Sequence, residues 1–189
     1  EVTKSFANAF KGSLREDPDI ILIREMRDLD TISLAISAAE TGHLVFGTLH
    51  TSSAAQTVDR IIDVFPADRQ TQVRVQLSNS LVAVFSQTLV PKKNPKPDEF
   101  GRVMAQEIMI ITPAISNMIR EGKTAQIYSS IQTGAKVGMQ TLEKVLADYV
   151  KAGTISFEAA MSKTSKPDEI QRLIGSAPTN GKAKAGVRR

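Results

Sequence analysis

Two short apolar runs, with a segment of helical character between them, constrain the fold of this chain more than any other feature. The runs are Ile20–Ile23 and Leu44–Leu49. An apolar run without polar alternation is typical of a strand that is covered on both faces, as in a parallel sheet. Asp28 or Asp30 can cap the intervening helix, and Thr41-Gly42 can end it. The sequence therefore predicts a strand–helix–strand unit with a right-handed crossover and a parallel sheet.

The pattern after this unit predicts two helices and then a pair of strands. We expect one helix from Thr51-Ser52-Ser53 through Val64 and a long helix from Pro66 to about Phe85, where Val73, Leu77, Leu81 and Val84 have helical spacing. Paired strands are expected at Ser86–Val90 and Arg102–Ile111, joined by a polar, proline-rich loop. A further helix is predicted ahead of the first strand, over residues 3–15.

The last third of the chain is helical in character. We predict helices at Pro113–Arg120, near Ala125–Gln132, and at Thr141–Ala152, Ser156–Met161 and Pro167–Ile174. The sequence therefore predicts an α/β fold, with a core over residues 1–111 and a helical subdomain over residues 112–175.

Composition narrows the class of protein. The chain has 189 residues, 41% of them hydrophobic, so it can bury one proper core. It has no cysteine, which excludes disulfides and zinc-thiolate sites and makes a cytoplasmic compartment the default expectation. No basic-then-apolar leader is present, and no apolar run approaches the roughly 18 residues that span a bilayer. We therefore expect neither secretion nor membrane insertion.

The basic charge of the chain is concentrated at its end. The pI is about 9.4, but four of the 24 basic residues lie in residues 176–189, which contain no acid. The remaining 20 lysines and arginines match 20 acids, so the body lacks the basic footprint of a nucleic-acid-binding protein. The tail itself is expected to be disordered, because small and basic residues cannot offset the entropy of ordering.

Glu25 and His50 follow the two predicted parallel strands at the same end. Ligands of open parallel sheets bind outside the carboxyl ends of the strands, so we expect both side chains on one rim. An acid after an apolar strand is the arrangement of a Walker B element, whose carboxylate holds Mg²⁺ or orients water. A solvated acid and a helix-capping histidine remain open alternatives. His43 lies at the other end of its strand, roughly 20 Å from His50, so a two-histidine metal site in one chain is not expected.

Three nearby features have simpler interpretations. Arg27 and Asp28 are expected to form an ion pair and a helix cap. Gly122-Lys123-Thr124 looks like the end of a phosphate-binding loop, but Asn117 stands five positions before Gly122, where that motif has glycine. We predict a helix-ending turn there. No other segment has the motif, so we expect this chain to have no loop that cradles the β- and γ-phosphates of a nucleotide.

Several longer segments resemble those of secretion and pilus ATPases. Leu14–Asp19 with Glu25-Met26-Arg27-Asp28 is similar to their Walker B region, and Thr41–Thr51 is similar to their His box. The similarity continues through Asp59–Pro66 and Ala114–Glu121 to about Gly175. Within this superfamily the chain resembles the PilT-type pilus-retraction ATPases most, because Ala114–Glu121 is similar to a segment linked to retraction.

The resemblance implies a RecA-like three-layer ATPase core, here partial, in a homohexamer that binds ATP and Mg²⁺. It implies a cytoplasmic motor, peripheral to the inner membrane, that acts on the platform at the base of a type IV pilus and powers twitching motility. By position, Glu25 is the Walker B carboxylate and the metal ligand, His50 senses the γ-phosphate side, and His43 belongs to the same nucleotide-binding box. The Walker A loop, the Asp box and a PAS-like domain would lie upstream of Glu1.

One departure from the family keeps other functions open. Arg24 stands where these ATPases usually have glycine, and its side chain can crowd the site or pair with a phosphate or with Glu25. The alternatives are an assembly or type II secretion ATPase of the same superfamily, and a non-catalytic module with vestigial ATPase features.

The segment from Ala114 to Glu121 has two interpretations. Ile115, Met118 and Ile119 stand at i, i+3 and i+4 and form one apolar stripe, while Asn117, Arg120 and Glu121 lie off it. The stripe can simply pack the helix onto its own domain. Alternatively, the polar edge couples the nucleotide state to a neighbouring subunit or a partner at the pilus base, as the resemblance implies.

Overall fold

The computed structural model describes residues 18–175 together with Phe10, Gly12 and Glu16. The helix predicted over residues 3–15 and the tail predicted from residue 176 lie outside the described residues, apart from Phe10 and Gly12, which are helical. The chain divides into two compact units, the first formed by residues 1–87 and 106–141 and the second by residues 88–105 and 142–189. The domain boundary between residues 111 and 112 stays a prediction.

The first unit begins with the expected crossover. Strand β1 (Ile20–Ile23), helix α1 (Leu29–Glu40) and strand β2 (Leu44–Gly47) follow one another, and β1 pairs with β2 in parallel. Asp28 caps α1, since its carboxylate accepts a hydrogen bond from the Thr31 N–H at 2.8 Å. The parallel arrangement, the cap and the end of α1 near Thr41-Gly42 confirm the sequence prediction.

One face of this small sheet is covered by described residues and the other is not. Ile21 and Ile23 are buried against Ala35 and Ala38 of α1. The alternate side chains are exposed, by 46% to 72%: Ile20, Leu22, Leu44 and Phe46. The expectation that the strands are covered on both faces is therefore not met within the described part of the chain, because α1 packs on only one face of the sheet.

Four more helices complete the first unit. They are α2 (Ala54–Asp63), α3 (Ala67–Ser80), α4 (Pro113–Arg120) and α5 (Ile127–Thr133). Their apolar faces meet in one core, where Val58, Ile62, Ile115, Ile119 and Ile127 have no exposed surface. The predicted helices of this region are present, with small differences at their ends.

The long helix predicted from Pro66 to about Phe85 is wrong over its last residues. Helix α3 ends at Ser80, and strand β3 (Ala83–Pro91) follows and pairs with β4 (Arg102–Ile110). Val84, Ser86 and Val90 are buried while Phe85 and Leu89 are exposed, which is the period-two alternation of a strand. The apolar residues Leu81 and Val84 continue the helical spacing of α3 by coincidence. Residues 83–91 nevertheless form a strand, because they pair with β4.

The second unit is built on three helices and the distal part of the β3–β4 hairpin. Helices α6 (Leu142–Lys151), α7 (Phe157–Met161) and α8 (Pro167–Gly175) contribute half of its buried core cluster, which consists of Leu146, Ala160, Ile170, Ile155, Val90 and Ala105. These helices confirm the predicted ones within one or two residues. No helix in the described part of the chain is long and apolar enough to cross a membrane.

Candidate functional site

Glu25 and His50 meet at the carboxyl end of the parallel sheet. Glu25 follows β1 by two residues, His50 follows β2 by three, and Glu25 Oε1 lies 2.7 Å from His50 Nε2. The second carboxylate oxygen, Oε2, forms an ion pair with Arg27 Nε. The structure thus confirms the predicted proximity of Glu25 and His50, and it adds Arg27 as a second partner.

The backbone around Glu25 is bent and tied to β2. Glu25 has φ = +32°, the one positive value among the described non-glycine residues. The next residue, Met26, donates its N–H to Thr48 O at 2.9 Å, and Thr48 donates to Ile23 O at 3.3 Å. Backbone in this region is disfavoured for a residue with a Cβ and persists where neighbouring contacts hold it. These bonds hold the chain where the Glu25 side chain faces His50.

Gly47, at the end of β2, lies against the side chain of Met26. A Cβ at this position would lie 2.5 Å from Cε and 2.7 Å from Sδ of Met26, closer than non-bonded atoms approach. The Met26 side chain therefore packs against Gly47, and a side chain at position 47 would force the flexible end of Met26 to move.

The charge on Glu25 is stabilised by its two partners. The hydrogen bond with His50 is the largest cause that lowers the pKa of Glu25, and the hydrogen bond with Arg27 is the second. The side chain is 30% exposed, so water screens both interactions. Since the lowered pKa keeps the carboxylate ionised at neutral pH, it is a pure acceptor, and His50 Nε2 carries the hydrogen between them.

The loop that carries His50 is folded over the first turn of α2. Thr51 Oγ1 lies 2.7 Å from Thr57 Oγ1, and the Ser52 N–H donates to Gln56 Oε1 at 2.8 Å. Ser53 caps the helix by accepting from the Gln56 N–H at 3.2 Å. His50 is therefore anchored through the three residues that follow it.

The structure separates His43 and Arg24 from this cluster. His43 precedes β2, at the opposite end from His50, and its Nδ1 lies 3.0 Å from Ala38 O. Arg24 is exposed, and the arginine paired with Glu25 is Arg27. The expected ion pair of Arg27 is thus confirmed.

Comparisons with known proteins show the family to which the chain belongs. The family model described as type II/IV secretion system protein matches residues 1–162. The chain belongs to that family. Its similarity to a solved structure, described as the pilus retraction motor PilT with bound ADP, has a TM-score of 0.81 at 48% identity. That match covers 91% of this chain and 47% of the other, and it confirms the predicted α/β fold.

Two curated proteins are similar to this chain over most of its length. The type IV pilus retractation ATPase PilT of Pseudomonas aeruginosa is 58% identical over 168 residues, which is 89% of this chain and 47% of that protein. A twitching motility protein of Neisseria gonorrhoeae is 54% identical over 168 residues, 89% of this chain and 44% of that protein. The chain spans about half the length of the curated relatives it matches.

Helix α4 of this secretion-family chain packs by its apolar stripe. Ile115 and Ile119 are fully buried and Met118 is partly buried. On the polar edge, Arg120 Nη2 donates to Asn79 Oδ1 at 3.3 Å, and Asn117 donates to Glu121 at 2.9 Å. The packing interpretation is therefore confirmed for the stripe, while the coupling role of the polar edge stays a prediction.

The Gly122-Lys123-Thr124 segment is the expected helix end. Gly122 has φ = +70°, and the Lys123 N–H donates to Met118 O at 2.8 Å. This left-handed glycine with a bond back to the last turn is a Schellman cap, not a phosphate cradle.

No three acids and histidines in the described residues lie close enough to form a metal site of their own. Magnesium in nucleotide sites of this kind is held by one or two carboxylates plus the substrate phosphates. The single ionised carboxylate of Glu25 fits that donor set.

The sequence analysis did not predict one buried acid that lies close to the start of α2. Glu107 on β4 is 4% exposed, and its Oε1 accepts a hydrogen bond from the Ala54 N–H at 2.7 Å. Ala54 is the first residue of α2, four residues after His50. The available signal was a charged residue on the buried side of β4, between Ala105 and Met109.

Proposed function

We propose that this chain is the C-terminal ATPase portion of a hexameric motor that couples ATP hydrolysis to type IV pilus retraction. The single observation that carries the proposal is the contact between Glu25 and His50 at the carboxyl ends of two parallel strands. That edge of an open sheet is where nucleotides bind, and an ionised acid there is suited to phosphoryl transfer. The retraction and twitching functions of the two similar proteins point to the pilus as the machine.

Each residue of the site has a role in the proposed reaction. The Glu25 carboxylate holds Mg²⁺ directly or through a water, and His50 contacts the γ-phosphate side. The metal, when bound, neutralises charge that develops on the phosphates. Arg27 keeps Glu25 ionised and oriented. His43, at the far end of β2, is outside this chemistry unless a neighbouring subunit brings it near a nucleotide.

The proposal includes the surroundings of the motor. The ring of identical subunits acts on the inner-membrane platform of the pilus, on the cytoplasmic side and peripheral to the membrane, without nucleic acid as a partner. The bound ADP of the similar PilT structure supports a nucleotide as the ligand of this chain.

Glu25→Gln in the full-length protein tests the chemistry. We expect kcat to fall about a hundredfold or more while Tm stays nearly unchanged, because this partly exposed rim residue contributes to the reaction and not to the core. Asp98→Asn, the same loss of charge in the exposed loop after β3, is the matched control and should leave kcat unchanged. Near-normal kcat in Glu25→Gln would remove Glu25 from the site.

Cell phenotypes separate the alternative functions. Loss of retraction leaves cells piliated but unable to twitch, whereas loss of an assembly ATPase leaves cells without pili. The vestigial module is favoured by one observation, the arginine at position 24, and predicts no ATP turnover in the full-length protein.

A further inference from the structure

We propose that Glu107 is a positioning residue that holds the His50 loop where His50 meets Glu25. The inference rests on the proposed function, because it concerns the geometry of the site that carries out this function. Glu107 lies on β4, 53 positions from Ala54 in sequence.

The contact of Glu107 with Ala54 is a strong restraint. The carboxylate is 4% exposed and Ala54 has no exposed surface, so water does not compete for the hydrogen bond. A buried acid is stable where backbone N–H groups at the start of a helix face it, because those groups have no partner within the helix. The 2.7 Å distance is at the short end of the range for hydrogen bonds from an N–H to an oxygen.

The restraint reaches His50 through the first turn of α2. Thr57 and Gln56 of that turn bind Thr51 and Ser52 of the loop, as described above. If Ala54 loses its acceptor, the first turn is no longer fixed to β4. The residues that anchor His50 can then shift, and His50 loses its alignment with Glu25.

Three variants of the full-length protein and one matched control test the inference. Glu107→Leu removes the acceptor, Glu107→Gln keeps an oxygen in nearly the same place, and Thr57→Val cuts the link to Thr51 with a side chain of the same shape. Glu143→Leu is the control, because Glu143 in the second unit is also 4% exposed and accepts a hydrogen bond from Thr164 at 2.8 Å.

The readout is kcat and KM for ATP, normalised to folded protein, together with Tm. Glu107→Leu should lower kcat about tenfold and leave KM for ATP within about twofold, because Glu107 orients a reacting group without touching the nucleotide. Glu107→Gln should recover most of kcat, and Thr57→Val should lower it. Glu143→Leu should lower Tm and leave kcat unchanged.

The outcomes separate this inference from the proposed function. If Glu107→Leu and Glu143→Leu have equal kcat while Glu25→Gln is inactive, the positioning role of Glu107 is wrong and the proposed function stands. If Glu25→Gln is as active as the unmodified protein, the proposed function fails first. If Glu107→Leu does not fold, Thr57→Val decides, and an unchanged kcat in that variant overturns the inference.

Discussion

At the scale of the residue, the contact between Glu25 and its partners depends on pH in a defined direction. The folded carboxyl has the lower pKa, so its interactions stabilise the fold above the ordinary glutamate pKa and are lost as the pH falls through the lowered value. We expect His50→Ala to raise the pKa of Glu25 more than Arg27→Ala does, because the bond with His50 is the larger cause. A ¹³C NMR titration of the Glu25 carboxyl measures both shifts.

Glu25→Gln assigns the carboxyl resonance in that titration. If the pKa of Glu25 rises more in Arg27→Ala than in His50→Ala, the expected order of the two partners is wrong. Arg27 would then be the main partner of the carboxylate.

Residue-scale prediction from sequence succeeded where the strand order alone fixes the position. Glu25 and His50 were placed together because parallel strands expose the same end of the sheet. Arg27 was expected in an ion pair, but its partner was not known. Glu107 was not predicted, because its partner is a backbone N–H of a helix that is distant in sequence. No pattern of side chains reveals such a partner.

At the scale of the element, α4 gives two separable predictions within one helix. Asn117 and Arg120 are exposed, so replacing both by alanine in the full-length protein should change stability by no more than about 0.5 kcal/mol. If the polar edge transmits force, the double variant keeps its ATPase rate while cells make pili but do not twitch. A twitching assay at normal protein level, beside an ATPase measurement, checks this outcome.

Ile119→Ala is the contrasting variant in α4. Ile119 is fully buried, so its truncation should cost about 2–5 kcal/mol and reduce the amount of folded protein. Normal twitching in the Asn117→Ala and Arg120→Ala double variant would leave α4 with packing as its whole role.

The elements themselves were predictable wherever local signals agreed with the tertiary structure. Helix α1 has a capping aspartate and a glycine stop, and both were read correctly. The boundary between α3 and β3 was not predicted correctly, because Leu81 and Val84 continue the helical spacing of apolar residues. Only pairing with β4, which brings Ile111 N–H to 2.9 Å from Val82 O, extends the chain there.

At the scale of the whole molecule, the proposed function makes this chain one part of an ATPase site. Its sequence has no Gly-x-x-x-x-Gly-Lys-Ser/Thr motif, and the one partial match is a helix cap. We expect the purified 189-residue chain to show no magnesium-dependent ATP turnover, because phosphoryl transfer depends on positioned phosphate ligands.

A radiolabelled ATPase assay measures this, with Glu25→Gln as the blank. Turnover that is abolished by Glu25→Gln would mean that this chain cradles the phosphates by itself, with residues other than the known motif.

The uncovered face of the β1–β2 sheet has a consequence for the behaviour of this chain in solution. Ile20, Leu22, Leu44 and Phe46 lie side by side there, and water is a poor solvent for such a surface. Two copies that meet through these faces would remove apolar area from water, and salts that strengthen the hydrophobic effect would favour that encounter. These four side chains form an exposed apolar surface within the described residues, so we expect the separate chain to self-associate more readily as such salts are added.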